Sequence, residues 1–241
     1  VKAAIISDIH GNLQALQRVI EHIDSRGITE IYCLGDIVGY GANPNECLAV
    51  VKDRCNTIIA GNHDWAVVGK SDILNFKNDA KKAIEWTSLR LSFEDRKFLA
   101  ELTLMELKGD CTLVHATPKE PQMWHYLRYS SMLPGQFEAL DNDICFIGHS
   151  HSPLIWDDGN EKKIPKANEE NAFDFEKKYI INVGSVGQPR DGDSRACYVM
   201  YDSEARTIEH VRLEYDVEKA ADSIINSDLP GSLASRLYHG K

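Results

Sequence analysis

The sequence predicts one α/β domain built from two packed, mixed sheets with helices outside. Three observations carry this. Short apolar runs alternate with helical patterns over the first 150 residues. The later part is β-rich, with few helical patterns between its apolar runs. Neither an internal repeat nor a clean linker interrupts the chain, so the expectation is a single domain over residues 1–241, long enough to bury its own core.

Lys2 to Ser7 reads as a buried strand. Leu13, Leu16, Ile20 and Ile23 then recur at helical spacing, with Asn12 as the N-cap and Gly27 as the stop. Ile31 to Leu34 is the next strand. Pro44 to Arg54 reads as a helix capped by Asn43, with Pro44 at its first position. Thr57 to Ala60 is a third strand, and Asp79 to Leu91 and Phe93 to Leu102 carry helical patterns. Gly109-Asp110 splits Leu104–Leu107 from Cys111–Ala116, as in a hairpin. A helix over Leu133–Leu140 precedes a strand over Ile144–Ile147. Pro153–Trp156, Tyr179–Val183, Ala196–Tyr201 and Thr207–Glu214 then read as strands. Glu161 to Lys178 is charged with mixed signs, as in a solvated loop or hairpin tip. Val217–Ile225 is an amphipathic helix, broken by Pro230-Gly231.

Composition limits the function. The net charge of −10 argues against a general nucleic-acid binder, which needs a basic face. The longest apolar stretches, such as Ala3–Ser7 and Tyr179–Gln188, fall far below the roughly 18 residues of a membrane span. The opening Val1–Ile6 run reaches polar Ser7-Asp8 too soon for a signal-peptide core. Six dispersed cysteines without a CxxC pair read as reduced thiols. A cytoplasmic protein is expected.

The polar chemistry gathers where apolar runs end. The first ends Asp8-Ile9-His10, the second Gly35-Asp36, the third Gly61-Asn62-His63-Asp64. His115 closes the next, and Gly148-His149-Ser150-His151 another. Side chains two apart on an extended segment share a face, so Asp8 with His10, and His149 with His151, can reach one ion. Ligands of α/β sheets bind beyond the carboxyl ends of strands. Each piece alone has an ordinary alternative, a turn former or a core histidine; the ordered set does not.

That set resembles the calcineurin-like metallophosphoesterases, in their branch of small bacterial and archaeal single-domain phosphodiesterases. The motifs span residues 8 to 151, and Asn182–Arg190 resembles that branch too. The resemblance implies a four-layer αββα sandwich, in agreement with the pattern above. It implies that Asp8, His10, Asp36 and His151 hold one metal, and that Asp36, Asn62, His115 and His149 hold a second. Oxygen and imidazole donors without thiolate suit two divalent transition-metal ions (Mn, Fe, Zn, Ni or Co). Two such ions outweigh Asp8, Asp36 and a bridging hydroxide, leaving the pocket about one unit positive inside an acidic protein. The implied reaction is phosphoester hydrolysis by that hydroxide. His63 resembles the family's non-ligand histidine, which protonates the leaving alkoxide; Asp64 either orients it or is a plain helix cap.

The expected substrate is a small phosphoester or nucleotide-type molecule. Tyr40 and Asn43 are candidate groove residues. Ser185 belongs to an Asn182–Arg190 loop whose Gly184 and Gly187 form either an anion nest or a tight turn. Arg190 meets a phosphate or pairs with Asp191 or Asp193. The protein phosphatases of this superfamily carry Asp-Arg-Gly after the second aspartate's motif. Here Gly39-Tyr40-Gly41 stands there, with no arginine between Asp36 and Arg54, which favours a diester over a monoester. The competing reading is a non-catalytic metal-binding regulator or scaffold of the same fold. Its mark would be a missing ligand, and none is missing.

Overall fold

The computed structural model describes residues 1–127, 130–174 and 176–241. The chain opens with β1 (Lys2–Ile6), α1 (Leu13–Ser25), β2 (Glu30–Cys33), α2 (Pro44–Arg54) and β3 (Thr57–Ile58). Next come α3 (Asn62–Val67), α4 (Asn78–Ser88), α5 (Phe93–Glu101), the hairpin β4 (Met105–Lys108) and β5 (Cys111–Val114), and α6 (Leu133–Phe137). Strands β6 (Ile144–Ile147), β7 (Leu154–Asp157), β8 (Lys162–Lys163), β9 (Glu170–Ala172), β10 (Tyr179–Asn182), β11 (Ala196–Asp202) and β12 (Thr207–Leu213) follow. The end is α7 (Val217–Ile225) and α8 (Gly231–His239).

Two mixed six-stranded sheets result, in the orders β3-β2-β1-β11-β12-β9 and β4-β5-β6-β10-β7-β8. The apolar strands are continuous because both faces are covered. Ala3 and Ile5 of β1 join Leu113, Phe146 and Ile181 between the sheets. Ala4 and Ile6 face the other way, onto α1 and α2. Val114, Cys145, Ile147 and Ile180 pack outward against Leu133 and Phe137 of α6. The layers are therefore helix, sheet, sheet, helix, as expected.

Several elements differ from their expected form. The third strand stops at Ile58, because the Ala60 N–H donates to Thr103 O at 2.8 Å instead of continuing the ladder. The short helix α3 carries no long apolar period, and the sequence pattern misses it. Asn43 occupies the N-cap position of α2, yet its side chain makes no capping bond. The helix from Leu133 ends at Phe137, after which Ala139 and Leu140 donate three residues back in a tightened turn. The charged stretch 161–178 is more than a loop: β8 extends one sheet beside β7, and β9 extends the other beside β12. Residue 175 of that stretch lies outside the described residues. Pro230-Gly231 ends nothing permanently, since α8 starts there and buries Leu233, Ala234 and Leu237 beside α7.

In one sheet β1, β2 and β3 run parallel, and in the other β5, β6 and β10 do. The carboxyl ends of both sets meet along one edge of the sandwich. Backbone bonds knit the strand extensions there: Asp8 N–H to Gly35 O at 3.0 Å, His10 N–H to Asp36 O at 2.9 Å, and Gly148 N–H to His115 O at 2.8 Å.

Candidate dinuclear metal centre

At that edge the ligand atoms of Asp8, His10, Asp36 and His151 lie within 4.8 Å of one another, as do those of Asp36, His115 and His149. All six side chains are buried, and Asp36 belongs to both groups. The backbone reason differs from the extended spacing expected of Asp8-x-His10 and His149-x-His151. Asp8, His10, Asp36, His149 and His151 have φ between 50° and 62°. Each stands in the left-handed region, which costs a non-glycine residue free energy. Five such residues in one cluster turn the side chains inward where extended strands would splay them. Gly148 permits the crossing between sheets, since a Cβ there would meet Asp8 Oδ2 at 2.5 Å.

Hydrogen bonds to backbone carbonyls fix the imidazole tautomers, because a carbonyl only accepts. His10 Nδ1 donates to Val38 O (3.1 Å), His151 Nδ1 to Gln188 O (2.6 Å) and His115 Nδ1 to Leu34 O (2.8 Å). Their Nε2 lone pairs face inward. His149 is reversed: Nε2 donates to Trp124 O at 2.9 Å, which leaves Nδ1 as its donor atom. Each aspartate is likewise split between support and ligation. Asp8 Oδ2 accepts the His149 N–H at 3.0 Å, and Asp36 Oδ1 accepts the His63 N–H at 2.8 Å.

The remaining atoms fit cations. The Nε2 lone pairs of His10 and His151 face one another at 3.2 Å, an arrangement that a shared positive centre relieves. Asp8 Oδ1 is buried without a hydrogen-bond partner, 3.1 Å from His151 Nε2. Asp36 Oδ2 lies 3.5 Å from His10 Nε2 and 3.4 Å from His115 Nε2, between the two groups. Asn62 Oδ1 stands 3.2 Å from His115 Nε2, at the second group. Burial holds His10 well below 6.5 and His149 down at about 3, the neutral forms a metal requires. Burial works downward on His115 too, but the Asp36 carboxylate outweighs it and lifts His115 to about 9. The two carboxylates thus retain a proton where a cation would serve. The donor set is oxygen and imidazole, with no thiolate, which suits divalent ions of the Mn-to-Zn series.

His63 sits beside the two groups without belonging to either. Its ring packs against Tyr40 (4.5 Å), His10 (4.8 Å) and Phe76 (5.1 Å) between centroids. Its Nδ1 is buried and unpartnered, and burial lowers it to about 4. Gly39 opposite is required for room: a Cβ would meet Nδ1 at 2.6 Å. Asp64 does not orient this ring. Its Oδ1 accepts from Ile37 N–H (2.9 Å) and Val38 N–H (3.2 Å), and Oδ2 from Gly61 N–H (3.0 Å). It caps α3 and clamps the Asp36 loop instead.

The outer candidates divide. The anion nest is overturned: within Asn182–Arg190, the N–H groups of Val186 and Gly187 bond Ser7 O and Asp8 O, and that of Gly184 bonds Asn182 Oδ1. The loop is a tight turn holding the end of β1. Ser185 is corrected with it. Buried, its hydroxyl donates to Asp8 O at 2.8 Å and accepts from Gln188 N–H, so its one O–H is already committed and cannot donate to a phosphate. Arg190 pairs with neither Asp191 nor Asp193, which are held by Arg212 and Arg195. It donates to Gln188 Oε1 at 2.9 Å and lies over the Tyr40 ring at 5.6 Å. Tyr40 therefore links Arg190 to His63. Asn43 lines a space of about 10 Å³ with His10, Gly11 and Tyr40, room for about one water.

Residues 1–206 match the calcineurin-like phosphoesterase superfamily domain. The chain belongs to this superfamily. It is 43% identical to an uncharacterized protein of Methanocaldococcus jannaschii, covering 99% of this chain and 98% of that protein. A metallophosphoesterase structure from Sphaerobacter thermophilus superposes with a TM-score of 0.90 at 36% identity, covering 100% and 99% of the two chains. A hypothetical protein of Pyrococcus horikoshii shares the fold at a TM-score of 0.81 and 21% identity, covering 100% and 98%.

Trp124 reads from the sequence as a packing residue, but its segment also supports the site. Its carbonyl fixes the His149 tautomer, and its ring stands edge-on to Trp65 (5.7 Å) and His115 (5.8 Å). Tyr126 stacks on His149 at 4.0 Å. The aromatic pair Trp124-x-Tyr126 was visible in the sequence, but a backbone carbonyl's role was not.

Proposed function

We propose that this protein is a metal-dependent phosphoesterase that hydrolyses phosphodiester bonds, with residues 1–241 acting as one unit. The observation that carries the reading is Asp36, one carboxylate shared by two buried donor sets. Asp8, His10, Asp36 and His151 hold one cation, and Asp36, Asn62, His115 and His149 the other. When bound, two divalent ions supply Lewis acidity toward phosphoryl oxygens and a nucleophile derived from water at neutral pH. The residues around them do the rest. Support from carbonyls at Val38, Leu34, Gln188 and Trp124 keeps each lone pair aimed, so ligation needs little reorganisation. His63 gives a proton to the leaving oxygen from Nε2, since Nδ1 is enclosed under Gly39. Burial disfavours its charged form; the negative charge of an arriving phosphate opposes that and favours protonation. Arg190, free of carboxylate partners among the described residues, is placed by Tyr40 to meet a phosphate oxygen.

No helix among the described residues is long and apolar enough to cross a membrane. Free cysteines at positions 33, 47, 55, 111, 145 and 197 suit a reducing compartment such as the cytoplasm.

The test is a screen of Mn, Fe, Zn, Ni and Co with bis-p-nitrophenyl phosphate and p-nitrophenyl phosphate. The diester is expected to have the higher kcat/KM. A tenfold preference for the monoester overturns the diester assignment and makes Arg190 the clamp of a doubly charged phosphate.

A further inference from the structure

Gln188, Pro189 and Arg190 follow the tight turn that holds the end of β1. A proline fixes its own φ and keeps the residue before it out of the helical region, which favours an extended segment. Side chains two apart on such a segment share a face, so Gln188 stands beside Arg190. The backbone beneath them is fastened to a metal-ligand candidate. Gln188 O accepts from His151 Nδ1 at 2.6 Å, and Arg190 N–H donates to His151 O at 3.1 Å. Gln188 N–H donates in turn to Ser185 Oγ at 2.8 Å, and the residue is 2% exposed. Its side chain therefore starts from a fixed base.

That side chain holds a guanidinium. Arg190 Nη2 donates to Gln188 Oε1 at 2.9 Å, and because a guanidinium only donates, the amide must present its oxygen. The guanidinium lies 5.6 Å from the centroid of Tyr40, whose ring stands 4.5 Å from His63 and 4.7 Å from His10. Its charge reaches the ligands: burial first, and next the Arg190 charge, hold His151 below 6.5. The partner is unusual within this chain. Arg54, Arg195 and Arg212 are each fastened by an aspartate, whereas no carboxylate pairs with Arg190 among the described residues. A carboxylate at position 188 would grip the guanidinium more strongly but cancel its charge. An amide holds it and leaves the charge whole.

We propose that Gln188 is the positioning residue of a phosphate clamp: it fixes the Arg190 guanidinium beside the metal centre and keeps its positive charge for the phosphate of the substrate. The proposal rests on the phosphoesterase reading and adds the residue that sets how strongly the site attracts an anion. The donor inventory fits. A guanidinium carries five N–H groups in a planar fork, and the bond to Gln188 uses one of them, so others remain for phosphate oxygens. In a protein of net charge −10, a guanidinium left uncancelled beside the centre is a large part of the field that draws a phosphate there.

The test compares Gln188→Glu, Gln188→Met, Arg190→Met and the double variant Gln188→Met with Arg190→Met. Gln188→Glu keeps the size of the side chain and an acceptor for Arg190, so a bond that is only structural predicts native behaviour. The clamp predicts otherwise. With Mn, KM for bis-p-nitrophenyl phosphate and the inhibition constant of inorganic phosphate should each rise about tenfold, with kcat little changed. Gln188→Met should raise KM as well, by releasing the guanidinium, and should add little once Arg190→Met has removed it. Elemental analysis should show native metal content in both Gln188 variants, because the bond to His151 comes from the main chain. Native KM and phosphate inhibition in Gln188→Glu, or a Gln188→Met effect undiminished beside Arg190→Met, overturns the proposal and leaves the phosphoesterase reading intact. Loss of metal from either Gln188 variant also overturns it, and assigns the residue to holding His151. No hydrolysis of a mono- or diester by the native chain with any metal of the Mn-to-Zn series overturns the phosphoesterase reading, and the clamp with it.

Discussion

Asp64 separates two accounts of the same motif, and its removal has a calculable cost. The carboxylate accepts three backbone N–H groups, from Ile37, Val38 and Gly61, all buried. Asp64→Ala leaves these donors without acceptors in a dry interior. Each orphaned donor costs about 1–3 kcal/mol. Burial, then the Asp36 charge, hold Asp64 up at about 7, so keeping its carboxylate ionised carries an offsetting penalty. At pH 8, where Asp64 is ionised, that penalty of about 4 kcal/mol, set against roughly 3–9 kcal/mol for three orphaned donors, leaves a net loss of up to about 5 kcal/mol, a large fraction of an ordinary domain's stability. Because Ile37 and Val38 follow Asp36, metal content should fall as well. The assay is urea unfolding of the metal-free chain at pH 8, with metal analysis and nitrophenyl diester turnover run in parallel. An unfolding midpoint equal to the native one, joined to a loss confined to substrates with poor leaving groups, would refute this reasoning. It would restore Asp64 as the group that orients His63.

Three further outcomes are expected. Asp36→Asn removes the charge shared by both donor sets, so elemental analysis should show well below two ions per chain and activity should nearly vanish; two tightly held ions would contradict sharing. His63→Ala should keep both ions yet lose about 10²–10⁴-fold in turnover of a poor leaving group, and less for nitrophenolate; equal losses would end its role as proton donor. His210 is buried, and burial lowers it to about 4 from 6.5. Its depressed pKa contributes stability that is fully present above pH 6.5 and lost as the pH falls through 4, on the order of 3 kcal/mol. His210→Gln should flatten that part of the stability profile in urea titrations; an unchanged slope would assign the acid sensitivity elsewhere.

Much of this protein was written in local pattern. The alternation of apolar strands and amphipathic helices, the Pro44–Arg54 and Val217–Ile225 helices, and the Ile144–Ile147 strand all follow from burial period and capping chemistry that neighbouring residues carry themselves. The ligand candidates were legible for a related reason. Parallel strands end at one edge, so polar residues just beyond apolar runs are brought together by topology alone. What local pattern could not reveal involves partners distant in sequence. Asp64 follows His63 directly, yet its acceptors face Ile37 and Val38, contacts set by the packing of α3 against the β2 loop. Ser185 and the N–H groups near it look like a free nest until β1 supplies the carbonyls that occupy them. Convergence at Asp8 and His10 comes from left-handed backbone, not extended spacing, and only bonds across β1, β2 and the opposite sheet hold residues in that costly conformation. The residues named chemistry; the tertiary fold decided which polar groups were left unpaired to perform it, because hydrogen bonds inside a protein are assigned by whatever carbonyl or N–H the packing brings within reach.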